Sequence, residues 1–284
     1  MKRFLSWMLA AALLCAAFGC AAIRVVNKYA NADKYTAGAF TYRADEVKSI
    51  VLNWASGDVT LLNGAGELSV SESGGETLSV SERLHWWLDG TTLRIQYCEA
   101  GYSHLIPKKE KHLTLTVPED IDLNINIASG KVTADALTVD TLDLNTASGG
   151  VAFGTLTADT VKIDTASGGV TIEQATVAHT LQADTASGGF TVDRISAETV
   201  KIDTASGGVT LGLDTVNKVD VDAASGKIRL KLFDPEAGAT VRLSKLSGTF
   251  DCKLPMTASG KSYTIGNGVI EINIDSASGG TSIE

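Results

Sequence analysis

Four aspartates, Asp164, Asp184, Asp203 and Asp222, stand three residues before the serine of a recurring Ala-Ser-Gly, and Asn126, Asn145 and Asp275 hold the same place in flanking copies. If the copies stack, these side chains form a row about 4.8 Å apart, the spacing of neighbouring strands. Such a row could take a hard cation such as calcium, which collects carboxylate oxygens. The calcium-binding repeat G-G-x-G-x-D is absent, and an Asp before a turn ordinarily accepts that turn's backbone N–H groups. The reading adopted is that each Asp caps its own corner and that no metal or cofactor is called for.

Two further rows share the spacing. Asp143, Lys162, Gln182, Lys201 and Asp220 never place lysine on lysine, which suits a solvated face of alternating charge. Thr133, Ala152, Thr171, Thr191, Thr210 and Arg229 resemble a ligand-binding threonine ladder, but Thr is also simply a good strand residue, and charges interrupt the row. His85, His104, His112 and His179 share no spacing with a Cys or Asp that suggests a triad or a metal site. No unique carboxylate cluster stands beside Arg194, Arg229 or Arg242. The expectation is therefore a protein that is not an enzyme; the alternative is a carbohydrate-active solenoid built on a repeat-derived carboxylate pair.

Aromatic side chains gather before the repeats, at Trp54, Trp86, Trp87, Tyr97 and Tyr102. Exposed, they could stack on sugar rings or on a protein partner. Burial of most of them is the simpler expectation. Trp86, Trp87, Tyr97 and Tyr102 remain the candidate interaction patch.

What must position these residues is a repeat. The segment TVKIDTASGGVT occurs identically at 160–171 and 199–210, and the corner serines fall at 129, 148, 167, 187, 206 and 225. Weaker copies place Ser247 and Ser278, with an early outlier at Ser56. Apolar pairs keep fixed offsets from each serine, as in Leu142 and Leu144, Val151 and Phe153, Leu156 and Ala158. Each pair has period two, the mark of a short strand with one inward face. The pattern predicts an all-β, right-handed parallel β-solenoid (β-helix) over 119–284, of ~19-residue, three-strand rungs, because a single rung cannot bury its apolar side alone. Six rungs span roughly 29 Å. The extra residue between Ser167 and Ser187 is expected near Ala178-His179-Thr180, in a corner.

Residues 46–118 read as an irregular N-terminal β lid over open strand edges, with a hairpin turning at Asp89-Gly90. Residues 24–45 are polar and read as a spacer, and 233–268 breaks the rhythm before a last rung. Cys98 and Cys252 are too far apart in such a column to pair. Cys252 occupies an inward position.

Lys2 and Arg3 precede an apolar run from Phe4 to Ile23 that contains Gly19-Cys20, so 1–23 reads as a signal peptide or membrane anchor. Ending in AAFGC, the run resembles a lipoprotein box with lipidation at Cys20; the alternative is an uncleaved span. Either places the remainder in the cell envelope, on the extracytoplasmic face of the membrane. A net charge of −9 opposes nucleic acid as a partner. Expected partners are the membrane, through that lipid or anchor, and an unidentified envelope protein or glycan.

The stretches VKSIVLNWASGDVTL, LTLTVPEDIDLNINIASGKV and the DTASGGVTI series, with YANADKYTAG at 29–38, resemble the bacterial putative-adhesin family of β-strand-repeat proteins, a domain of unknown function. The resemblance spans about 29–284 and implies surface location and binding. It supplies no catalytic residue.

Overall fold

The corner explains the column. In the computed structural model, which describes residues 23–64, 66–74, 77–106 and 111–284, Gly149 donates its N–H to the Ser167 carbonyl at 3.1 Å and Val151 to the Gly169 carbonyl at 2.9 Å. The same two bonds recur at Gly168 and Val170. Successive corners approach so closely that a Cβ on Gly168, held at φ +156°, would lie 1.9 Å from the Gly149 carbonyl oxygen. Only glycine fits.

Between corners the chain runs as the strands Val132–Ser148, Val151–Ser167, Val170–Ser187, Phe190–Ser206 and Val209–Ser225, paired parallel and serine to serine. The three short strands expected per rung are segments of one continuous ladder. The inward–outward alternation slips twice in each strand, at Asp135-Ala136 and Asp140-Thr141 in the first, so the strand bends there and keeps its apolar pairs inside. Leu142, Val161, Leu181, Val200 and Val219 form one buried file through the stack. Four threonines next to the acidic row, Thr146, Thr165, Thr185 and Thr204, also turn inward and are buried. The extra residue shifts the register between Val177 and Thr180, where it was expected.

The stack extends beyond the regular repeats at both ends. Ser49–Trp54 pairs parallel with Asp122–Ser129, and Gly57 donates to the Ser129 carbonyl, so the Ser56 copy is the first full corner of the column. The 46–118 lid is thus corrected: part of it is stack. One further parallel level, Thr92–Gln96 and Lys111–Pro118, lies on that corner. Beyond it His85–Asp89 and Glu67–Gly74 pair antiparallel and close the end. A hairpin returns through a short turn, whereas a parallel strand needs a full circuit of the column.

Residues 24–45 are not a spacer either. Thr36–Ala37 and Phe40–Arg43 add antiparallel strands to the closing layer, and Ile23–Val26 pairs with Ser103–Ile106. Asn27 Nδ2 and Tyr29 Oη both donate to the Cys98 carbonyl, at 2.7 and 3.1 Å. Polar groups are numerous here because they fasten the cap.

At the other end the order of the chain is broken. Ile270–Ser278 pairs parallel with Val209–Ser225 on one side and with Ala239–Lys245 on the other. Thr281–Ile283 likewise lies between Ile228–Leu232 and Phe250–Cys252. The last rung in sequence is therefore next to last in space. The antiparallel pair Met256–Ser259 and Ser262–Ile265 closes on Ala239–Lys245. Cys98 is buried, whereas Cys252 is only half-buried at this outer edge, with its Sγ donating to the Leu254 carbonyl at 3.5 Å.

Candidate interaction surface

The acidic row is real, but its chemistry differs from the expectation. Asp184 accepts from Gln182 Nε2 at 3.0 Å and Asp164 from Lys162 Nζ at 2.5 Å, each donor two residues earlier on the same face. The aspartates do not cap their corners, because the corner N–H groups are already bonded to the next rung. Asp203 is pushed up to about 6, first by partial desolvation and then by the Asp184 and Asp222 carboxyls above and below it. Burial also raises Asp164, while Lys162 opposes the shift. Among the described residues no group of three or more His, Cys, Asp or Glu is set to hold a metal ion. Asn126 and Asn145 continue the row as amides, with Asn126 donating to Asn53 at 3.2 Å.

The neighbouring rows behave as solvated faces. Lys162 stacks between Asp143 and Gln182, and Lys201 between Gln182 and Asp220. The threonine row runs in register from Thr133 through Thr210 to Arg229, half-buried or exposed throughout.

The aromatic patch is divided by the fold. Tyr97 is buried with its ring 4.9 Å from that of Trp54, so it lines no surface and is removed from the patch. Trp86 stacks on Phe40 at 4.0 Å on one face of its strand. Trp87 on the other face meets Tyr35 at 5.7 Å and carries Lys34 Nζ 4.7 Å above its ring. Tyr102 donates to Glu82 at 3.0 Å. Lys111 is the hub of the cap. Its buried Nζ donates to Glu72 at 2.8 Å and to the carbonyls of Glu82 and Tyr97, and it lies 5.0 Å from the Trp54 ring centre. Cys20 lies outside the described residues.

One concave surface was missed by sequence reasoning. A shallow groove of about 670 Å³ crosses the rungs on the face formed by Leu137–Val139 and its counterparts. A file of hydroxyls, Thr138, Thr157, Thr176 and Ser196, runs along it in register. Next to it Asn63 Oδ1 accepts from the Thr138 N–H at 2.9 Å. Asp120, Asp140, Asp159 and Glu198 are among the residues that line it, and all four are exposed. Desolvation raises Asp140, followed by the charges of Asp120, Asp159 and Asp122, with Lys48 opposing. The signal was present in sequence, since Asp140 and Asp159 each stand eight residues before a corner serine.

No curated protein matches the chain. Among solved structures, one described as a putative adhesin from Parabacteroides distasonis is 12% identical, covers 88% of this chain and 97% of its own, and superposes with a TM-score of 0.50. Putative adhesins from Bacteroides fragilis and Parabacteroides merdae are each 13% identical. They cover 87% and 91% of this chain and 96% and 98% of their own, with TM-scores of 0.48 and 0.46. At such identity the Parabacteroides distasonis likeness is one of fold. The family model described as Toastrack DUF4097 matches residues 46–284, in a chain whose stacked corners begin at Ser56; the chain belongs to that family.

Proposed function

We propose that the protein is a non-enzymatic interaction module of the bacterial cell envelope, held on the extracytoplasmic face of the membrane by a lipid on Cys20. In this reading the column is a right-handed parallel β-solenoid of three-sided, ~19-residue rungs, serving as a rigid scaffold. The observation that carries it is the groove, a long exposed surface whose hydroxyls and acids recur at the rung spacing. Extended repeat surfaces suit binding, because one contact is multiplied along the axis. The histidine–carboxylate pair of the groove, His179 and Glu198 at 3.4 Å, is exposed on both sides, an open setting that favours binding over acid–base chemistry. Partners in this reading are the membrane and an envelope protein or glycan, not nucleic acid.

Two measurements test it. Cys20→Ala is expected to abolish incorporation of labelled fatty acid and release the protein from the membrane; unchanged processing and retention would favour an uncleaved anchor. A pull-down with the lipidated protein in its native membrane should return a stoichiometric envelope component. Hydrolysis of an envelope polysaccharide by the pure protein, lost in Asp140→Asn, would replace the module with an enzyme.

A further inference from the structure

We infer that the cap of the column docks on the lipid surface itself, with Tyr29, Tyr35 and Trp87 seated at headgroup level, an assignment that rests on the membrane tether proposed above. The tether has almost no slack. Ile23–Val26 is already a cap strand, paired with Ser103–Ile106, and the Asn27 N–H donates to the Tyr102 carbonyl at 3.1 Å. The Asn27 and Tyr29 side chains tie the same segment to the Cys98 carbonyl. Cys20 precedes Ile23 by three residues, a reach of at most about 11 Å. An uncleaved apolar run would itself end at Ile23. The headgroup layer of one leaflet is about 5–8 Å deep, half the difference between a bilayer's full and hydrocarbon thickness. Either anchor therefore brings the first cap strand against the membrane surface, with no spacer to hold it off.

The surface placed there has interfacial chemistry. Among the described residues every tryptophan, and every tyrosine except Tyr263, precedes Lys111 in the chain. Trp86 pairs across its hairpin with the buried Ile95 and faces the column interior, so Trp87, opposite the half-buried Arg94, faces out. There the Tyr35 ring lies 5.7 Å from that of Trp87 and 4.6 Å from that of Tyr29, and all three residues are half-buried. Thr36–Ala37, the strand that Tyr35 leads into, pairs with His85–Asp89 and with no strand beyond it among the described residues. Rings with an apolar body and a polar tip collect at membrane–water interfaces, and a lysine stem can lie along them with its ammonium in water. Lys34, exposed with its Nζ over the Trp87 ring, is such a lysine. It also covers one face of that ring, which sugar stacking would use. Exposed acids, Asp33, Asp45 and Glu46, share this end with the lysines, so the attraction is interfacial and not one of net charge.

The test replaces Lys34, or the exposed Lys261 in the turn between Met256–Ser259 and Ser262–Ile265 at the far end, with a diazirine-bearing residue. The full-length chain is reconstituted into phosphatidylcholine vesicles and irradiated. Position 34 should give lipid adducts by mass spectrometry, and position 261 none above background. Raising the salt concentration, or replacing part of the lipid by phosphatidylglycerol, should leave the yield at 34 unchanged. Tyr35→Ser/Trp87→Ser, with an unchanged circular dichroism spectrum, should lose most of those adducts while the protein stays in the vesicles. The comparison of 34 with 261 needs no such variant and decides the matter if the pair does not fold. Equal yields at the two positions, no lipid adduct at 34, or adducts that survive the double variant each overturn the docking. If the chain washes out of the vesicles, the tether reading fails with it. If it stays, and position 34 in native membranes captures protein or glycan and no lipid, the docking alone is wrong.

Discussion

Gly226 donates its backbone N–H to the carbonyl of Ser278 at 3.3 Å, although the Ser247 corner intervenes between them in the chain. The final rung therefore supports two neighbours, and among the described residues the strands of the 239–252 level pair with the column through it. Ile272 is fully buried at the centre of this strand.

Ile272→Ala should accordingly cost on the order of 2–5 kcal/mol, as a buried Ile truncation does. Hydrogen exchange should show amides of 239–245 losing protection together with those of 270–278, while 132–167 stays protected. Loss confined to 270–278 would mean that the outer level holds on by itself.

The corners give a contrast between adjacent glycines. Gly168→Ala drives a Cβ to within 1.9 Å of the Gly149 oxygen at φ +156°, whereas at Gly169 the nearest atom lies 3.8 Å away. Gly168→Ala should destabilise by about 2 kcal/mol or more, and Gly169→Ala by well under 1. Denaturant melts of the two variants decide the point.

The cap depends on Lys111, whose ammonium and the Glu72 carboxylate are almost wholly buried, with side-chain exposures of 1% and 7%. Lys111→Met leaves that carboxylate buried without its cation and should cost about 3–5 kcal/mol. Adding Glu72→Gln should recover part of the loss. A double-mutant cycle showing simple additivity would contradict the coupling.

Asp203 sets a pH dependence. Its folded value of about 6 lies above the ordinary 3.8 of the unfolded chain, so the folded form holds the extra proton between these values. Stability from this group therefore rises as pH falls from about 7 towards 4, the reverse of a salt-bridged carboxylate. Asp203→Asn should stabilise the protein at pH 7, by no more than about 1 kcal/mol because the side chain is solvent-screened, and should leave no difference near pH 4. A wild-type advantage at pH 7 would overturn the like-charge account.

Much of this architecture is legible in the sequence, because inward pairs such as Leu142 and Leu144 repeat at fixed offsets from a serine that must turn. The order of the last two rungs is not, since Ser247 and Ser278 carry similar corner patterns and only tertiary pairing chooses between them. The aspartates were misread because local turn chemistry offers them backbone N–H groups that, in the stack, are already taken by the next corner. Residues 24–45 look like a linker because fastening a cap uses polar side chains such as Asn27 and Tyr29. The groove went unnoticed because its acids, Asp140 and Asp159, are carried on only two consecutive rungs before His179 interrupts them.

The central claim is that the grooved face of the column meets a partner in the envelope. A photo-cross-linking residue at Thr157, in the groove, should capture a discrete adduct in native membranes, while one at Thr171, on another face, should not. Adducts of equal yield from both positions, or from neither, would contradict the account.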